Sequence, residues 1–202
     1  NESTSYMEVG VRMYERNRTV AAVPAWWVVD SDFMRSYTWS SRPPGDPPKE
    51  WIDSGYMKRG DTVEELARAC GIDPASLAAT VQRFNGFAAR GVDDDYHRGR
   101  GAYDRYQGDP TVKPNPNLGA IARAPFYAVQ LWPGDVGTCG GLMTDEHARV
   151  LRKDRSAIEG LYATGNSTAS VVGRSYPGAG ASIGASATFA FIAARHAARI
   201  ND

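Results

Sequence analysis

The 202-residue sequence has no excess of charge of either sign, since twenty-three basic residues balance twenty-three acidic ones. That balance removes the electrostatic basis for nucleic acid or an anionic membrane surface as the main partner. No run of about 18 apolar residues is present, so no segment is long enough to span a bilayer as a helix. Cysteine is scarce: Cys70 and Cys139 fit a reducing compartment, with one disulfide between them left open. The three histidines, His97, His147 and His196, share no metal-ligand spacing, and no metal site is expected. They read as ordinary loop or helix residues rather than catalytic ones. There is no G-x-S-x-G elbow and no P-loop. The acidic groups Glu64-Glu65 and Asp93 to Asp95 read as a helix first turn and a solvated loop, not as an acid–base pair. The sequence opens on Asn1 rather than on an initiator Met, and no signal peptide is expected.

What is present is ordinary globular composition, 42% hydrophobic and 23% charged, which argues against disorder and allows one large domain or two small ones. Residues 1–20 are polar and end in a helix or loop over Met13 to Arg18. Ala25-Trp26-Trp27-Val28-Val29-Asp30 and Phe126-Tyr127-Ala128-Val129-Gln130-Leu131-Trp132 are short, aromatic and β-branched, and predict buried strands. Between them, residues 40–51 hold four prolines and predict a loop or lid. Thr62-Val63-Glu64-Glu65 is a capping box that starts a helix with Leu66, Ala69 and Cys70 on one face, stopped by Gly71. Asp73-Pro74 starts a second helix, with Leu77, Val81, Phe84 and Ala88 as its apolar stripe and Gly91 at its end. Asp93 to Tyr106 is polar and predicts a loop.

From Thr138 the character changes. Thr138 to Thr144 and Ala148 to Leu151 suggest a small antiparallel excursion. Leu161-Tyr162-Ala163-Thr164-Gly165-Asn166 predicts a strand that stops at a glycine. A glycine-rich turn from Gly173 to Gly184 then feeds an Ala-rich helix of about 18 residues ending near Arg199. A glycine at a strand end lets a ligand approach the backbone. A glycine-rich turn at a helix start presents unpaired N–H groups and the positive end of the helix dipole to an electron-rich atom. A phosphate, a carbonyl oxygen or the pyrimidine edge of a flavin would suit such a place, although the same glycines also permit tight helix–strand packing.

Gly160 to Asn166, followed by Ser175-Tyr176-Pro177-Gly178-Ala179-Gly180-Ala181-Ser182-Ile183-Gly184, resembles the carboxy-terminal signature of flavoprotein 3-ketosteroid dehydrogenases. These lie within the fumarate reductase/succinate dehydrogenase flavoprotein superfamily. Asn1-Glu2 with Tyr6 resembles the entry to that family's substrate domain, Pro24-Ala25-Trp26 its next strand, and Thr138-Cys139-Gly140-Gly141-Leu142 the return into its FAD domain. The resemblance implies an α/β fold: an α+β substrate domain over 1–137, joined to the carboxy-terminal part of a Rossmann-like FAD-binding domain over 138–202. The G-x-G-x-x-G fingerprint near the family's amino terminus has no counterpart here. The expectation is therefore a carboxy-terminal portion, whether fragment, processed half or subunit. Its partner would be the amino-terminal FAD-binding portion or a complementary subunit, and activity would require that partner.

The implied cofactor is FAD and the implied substrate steroid-like. The implied reaction is Δ1-desaturation of a 3-ketosteroid, in which a proton leaves the carbon α to the carbonyl and a hydride leaves the β carbon for flavin N5. Carried over by motif, the Tyr176 hydroxyl and Gly180 N–H bind the C3 oxygen. Glycine is expected at 180 because a side chain would obstruct both N–H and substrate. Tyr6 takes the α proton, helped by a second tyrosine that in the family lies upstream of the matched segment. Gly165 and Asn166 approach the ribityl–pyrophosphate region, the Ser182 and Ile183 N–H groups at the helix start face the isoalloxazine O2, and Ala181 is a further cofactor-binding residue. Trp26, Trp27, Trp39, Trp51, Phe126 and Trp132 are available to line a flat apolar cleft, plain core being the favoured reading for most of them. Alternatives are a fumarate reductase-like enzyme, a Δ4-(5α)-ketosteroid dehydrogenase and a non-catalytic flavoprotein subunit. The implied location is cytoplasmic, with membrane association only through the substrate.

Overall fold

The computed structural model describes residues 1–199, and the chain divides into two units, Asn1–Pro133 and Gly134–Asp202. Helices and strands are mixed in both.

The first unit is organised by its last strand. Strand β1 (Ala25–Asp30) and strand β2 (Met57–Gly60) both pair antiparallel with β3 (Phe126–Leu131), giving the order β1-β3-β2. Because β3 is central, four successive residues, Phe126 to Val129, are buried, and its sequence shows a continuous apolar run instead of alternation. Tyr127 and Val129 join Val29, Met34, Trp39 and Met57 on one face. On the other face Phe126 and Ala128 pack with Leu66, and Ala67, Leu77 and Val81 form the adjoining cluster.

The helices supply those layers. Helix α1 (Tyr6–Asn17) is followed after β1 by α2 (Ser31–Ser36), then α3 (Lys49–Asp53), α4 (Val63–Cys70), α5 (Pro74–Arg90) and α6 (Ala102–Gln107). The expected capping box forms: Thr62 Oγ1 accepts from the Glu65 N–H at 3.1 Å, and Glu65 accepts from the Thr62 N–H. Asp73 caps α5 with proline in its first turn, and Gly71 and Gly91 end the two helices.

Several expectations are corrected. The proline-rich loop stops at Pro48, and Lys49-Glu50-Trp51 opens α3, since proline directly before a helix leaves its interior hydrogen bonds intact. On α4 Ala67, not Ala69, joins Leu66 in the core, and on α5 Phe87 is buried while Phe84 is half-buried. The polar stretch after Asp93 contains α6, and Asp93 is 2% exposed rather than solvated. Of the six aromatic residues, Trp39 and Phe126 are buried, Trp26 and Trp51 half-buried, and Trp27 and Trp132 exposed. Cys70 and Cys139 are both free thiols.

One polar knot locks the end of β1 to the segment entering β3. The buried Asp30 carboxylate accepts from the Phe33 N–H at 2.9 Å, capping α2, and from the N–H groups of Ala122 and Arg123 at 2.9 and 3.0 Å. The fully buried Ser31 hydroxyl lies within hydrogen-bond reach of the Arg123 and Ala124 carbonyls. Asn85 on α5 adds a reciprocal pair with Ile121, both bonds at 2.8 Å.

In the second unit β4 (Arg149–Leu151) and β5 (Ala157–Tyr162) form an antiparallel hairpin. Thr144 bridges antiparallel to Val150, and Leu142 bridges parallel to Thr168. The predicted strand over 161–166 ends earlier, at Tyr162, and Gly165–Ser167 is a 3₁₀ turn. Helix α7 runs Ala181–Ala197, so Gly184 lies inside the helix rather than in the preceding turn. His147 stacks on His196 with ring centroids 4.6 Å apart, and the Tyr162 hydroxyl lies 2.7 Å from His196 Nδ1, fastening the hairpin to the last turns of α7.

Asp30→Ala should lower stability by about 3 kcal/mol, because it removes a helix cap and leaves two further backbone N–H groups without their partner. Urea unfolding followed by tryptophan fluorescence reads this directly. An unchanged midpoint would contradict the assignment, and Asp30→Asn should lose less.

Candidate functional site

The hairpin delivers the chain to the site. The Ala163 N–H donates to the Ala148 carbonyl at 3.0 Å, and Thr164 is fully extended. Gly165 then turns left-handed at φ +64° to open the 3₁₀ turn. A Cβ at this position would sit 2.9 Å from Ser186 Oγ, and the Thr164 hydroxyl donates to the Ser186 carbonyl at 3.1 Å. Glycine at 165 is favoured by its backbone angle, and a Cβ there would also push the Ser186 hydroxyl aside. Beyond the turn, Thr168 folds back on Gly165, donating to its carbonyl from N at 3.0 Å and from Oγ1 at 2.8 Å.

The other wall is the start of α7. Gly180 is its N-cap at φ +88°, and no side chain caps the helix. No protein atom lies within 4 Å of a Cβ built at Gly180. The left-handed backbone by itself favours glycine there. The Ala181 N–H donates to Gly178 at 3.2 Å, and the first i→i−4 bond is Gly184 N–H to Gly180 at 2.7 Å. Helix geometry therefore gives the Ser182 and Ile183 N–H groups no intrahelical acceptor, with the positive end of the helix dipole behind them.

Between these walls runs an open groove of about 590 Å³, lined by Thr164, Asn166, Ser182, Ile183, Ser186, Ala187 and Ala190. The structure thus brings Asn166, Ser182 and Ile183 together, with Gly165 and Ala181 at the two edges of the same groove. Tyr176 is half-buried in the loop four residues before Gly180. Tyr6 lies in the first unit, as the exposed first residue of α1, whose N-cap Ser5 accepts from the Glu8 N–H at 3.2 Å.

Sequence reasoning missed Thr164, Ser186, Ala187 and Ala190. For the three on α7 the signal was a set of small residues three or four apart, Ser186, Ala187 and Ala190, which reads equally well as packing against protein.

A group with aromatic, polar and anionic parts fits these walls. Small residues leave room for a flat ring, the uncapped helix start offers donors, and the glycine turn allows close backbone approach. Comparison with known proteins gives this fit its class: residues 1–183 match the family described as FAD binding domain, and the chain belongs to that family. It is 48% identical over 204 residues to a 3-oxosteroid 1-dehydrogenase of Mycobacterium tuberculosis, covering 98% of this chain and 36% of that protein. A 4-oxocyclohexanecarboxylate 2-dehydrogenase of Sinomonas cyclohexanicum is 41% identical over 199 residues, 96% of this chain and 34% of that protein. Among solved structures, the 3-ketosteroid Δ1-dehydrogenase of Sterolibacterium denitrificans in complex with 1,4-androstadiene-3,17-dione matches with a TM-score of 0.93 and 44% identity, covering 100% of this chain and 37% of that one. The chain therefore spans little more than a third of the length of the relatives it matches.

Gly165→Ala should cost about 1–3 kcal/mol, from a left-handed alanine together with the collision at Ser186. Chemical denaturation checks this, and pairing it with Ser186→Gly should recover only the steric share. A neutral Gly165→Ala would disprove the close approach.

Proposed function

We propose that this chain supplies the ketone-binding and proton-abstracting part of an FAD-dependent 3-ketosteroid dehydrogenase that introduces a Δ1 double bond. The observation that carries the reading is the uncapped, glycine-initiated start of α7 beside the Thr164–Asn166 turn, with Tyr176 just upstream. The similarity to 3-oxosteroid 1-dehydrogenases and to a 4-oxocyclohexanecarboxylate dehydrogenase supports the same chemistry, desaturation beside the ketone of a six-membered ring.

In this reading residues 1–137 form the substrate domain and 138–202 complete an FAD-binding domain. The Tyr176 hydroxyl and the Gly180 N–H donate to the ketone oxygen. As the α proton leaves, negative charge grows on that oxygen, and each well-placed donor is worth about 3–4 kcal/mol there. Tyr6, having lost its own proton to solvent, takes the α proton as the phenolate and becomes the neutral phenol. A phenol with an ordinary pKa near 10 needs a second hydrogen-bond donor to do this at neutral pH, so the partner portion supplies one. Bound FAD supplies the two-electron acceptor that receives the β hydrogen with its bonding pair, so that the C–C bond becomes double. The Ser182 and Ile183 N–H groups, with Ala181 at the helix start, hold its pyrimidine edge, while Gly165 and Asn166 lie against the ribityl–pyrophosphate part.

The partner is the amino-terminal FAD-binding portion or a complementary subunit. The composition of α7 supports this: Ile183 and Phe191 are 77% and 64% exposed, and the helix buries none of its described residues. Among the described residues no helix is long and apolar enough to cross a membrane, and the proposed setting is the cytoplasm, with membrane contact only through the substrate.

The test is to combine the chain with the polypeptide that completes the FAD-binding fold. A yellow complex should form and bleach anaerobically with androst-4-ene-3,17-dione. Oxidation of the reduced complex by fumarate without bleaching by steroid would replace this reading with a fumarate reductase, and failure to take up flavin would leave a non-catalytic subunit. Tyr176→Phe should lower turnover about 100-fold with flavin retained. Unchanged turnover would remove Tyr176 from the oxygen-binding pair.

A further inference from the structure

The five residues before Tyr6 are fastened to a distant loop of the first unit by one arginine. Arg98 forks onto Glu2, donating from Nε to Oε2 at 2.5 Å and from Nη2 to Oε1 at 3.1 Å. Its third nitrogen, Nη1, donates to Asp93 Oδ2 at 2.7 Å. The Asp93 side chain is fully buried and that of Arg98 only 11% exposed, so the inner pair is interior, while Glu2, 68% exposed, closes the fork at the surface.

The inner partner of the arginine is held by further bonds. Asp93 Oδ1 accepts from the N–H groups of Asp95 and Tyr96 at 3.0 and 3.2 Å, and Oδ2 from the Arg98 N–H at 3.2 Å. The guanidinium lies over the rings of Phe84 and Tyr96, 5.4 and 4.9 Å from their centroids. Desolvation opposes ionisation of Asp93 and Glu2, yet hydrogen bonds and the charge of Arg98 outweigh it and hold both carboxyls below their ordinary values. Lowered carboxyl values mean that the junction is charged throughout the neutral range and loosens only as pH falls through them.

A second tie reinforces the first. The Asn1 side-chain amide donates to the Tyr96 carbonyl at 3.2 Å and to Asp104 at 3.4 Å, while Asn1 Oδ1 accepts from the Ser3 N–H at 2.9 Å. Asp104 in turn accepts from the Gly99 N–H at 3.2 Å. The chain then passes through buried Ser5, the cap of α1, directly into Tyr6.

Residues 1–5, which lead into α1, carry no hydrophobic side chain to anchor them. Here two ion pairs joined at one rigid planar fork, set between two aromatic rings, hold this segment four residues from Tyr6. We infer that Glu2 and Arg98 are positioning residues for Tyr6, fixing the start of α1 so that the phenol is presented at one place and angle. The inference rests on the reading of Tyr6 as the proton acceptor.

Removing Arg98 outright would strand the buried Asp93 charge and unfold the unit, so the test cuts the junction on its outer side. In the complete FAD-loaded enzyme, Glu2→Ala should lower kcat about tenfold, with KM changed less than twofold, because misplacing a reacting group costs rate more than binding. Arg98→Lys, which keeps the Asp93 pair but cannot fork to both carboxylates, should fall in the same direction. Tyr6→Phe is the reference variant. In that background Glu2→Ala should bring no further loss, since the two act through one group. An equal fractional loss in both backgrounds, or an unchanged kcat per bound flavin in Glu2→Ala, would overturn the positioning role while leaving Tyr6 as base. A Tyr6→Phe enzyme with full turnover would overturn the base assignment itself, and the positioning role with it.

Discussion

A helix that begins on a left-handed glycine with no capping side chain leaves donors that something else must satisfy. At Gly180 this constraint shapes the whole second unit. The turn at Gly165 closes against Ser186, the hairpin hands over an extended Thr164, and the His147–His196–Tyr162 contact pins the far end of α7. Each contact fixes the position of the helix without covering its first turn. A conventional serine or aspartate cap would make α7 more stable and would place an acceptor where the Ser182 and Ile183 N–H groups now face the groove. Such a cap is worth about 1 kcal/mol in an ordinary helix, and without it the positive end of the α7 dipole stays uncovered by a side-chain acceptor.

The first unit answers to a different requirement, that of a stiff platform. Its central strand is buried on both faces, and its connections are tied by polar groups that reach across many residues. Asp30 and Ser31 grip the segment before β3, Asn85 grips Ile121, and Arg98 grips the entry to α1. These ties hold loops, which carry little apolar surface of their own. Loops are where a hydrophobic core cannot impose precision and where directed bonds to charged groups can.

How much of this could be read in advance differs by kind of interaction. The capping box at Thr62, the Asp73-Pro74 start and the apolar runs of β1 and β3 were legible because their signals are local and lie within a few residues. The Lys49 start of α3 was hidden by the prolines around it, and α6 by the polarity of its residues. Asp93 was misjudged as solvated because its partner Arg98 cannot be told from any other arginine without the fold. At the groove, the glycine at 165 and the glycine-rich start of α7 are local signals that the sequence carries. Thr164 and Ser186, by contrast, become neighbours only when the 3₁₀ turn meets α7, 22 residues on. At Gly180 the structure adds a left-handed backbone angle that the sequence pattern does not display.

The central claim is that the first turn of α7 spends its unpaired N–H groups on bound FAD. Amide hydrogen exchange, resolved by residue in the complete protein with and without FAD, tests it most directly. The account predicts at least tenfold slower exchange at Ser182 and Ile183 when FAD is bound. It predicts little change at Gly184, whose N–H already donates to Gly180. Equal rates at Ser182 and Ile183 in the two states would contradict it.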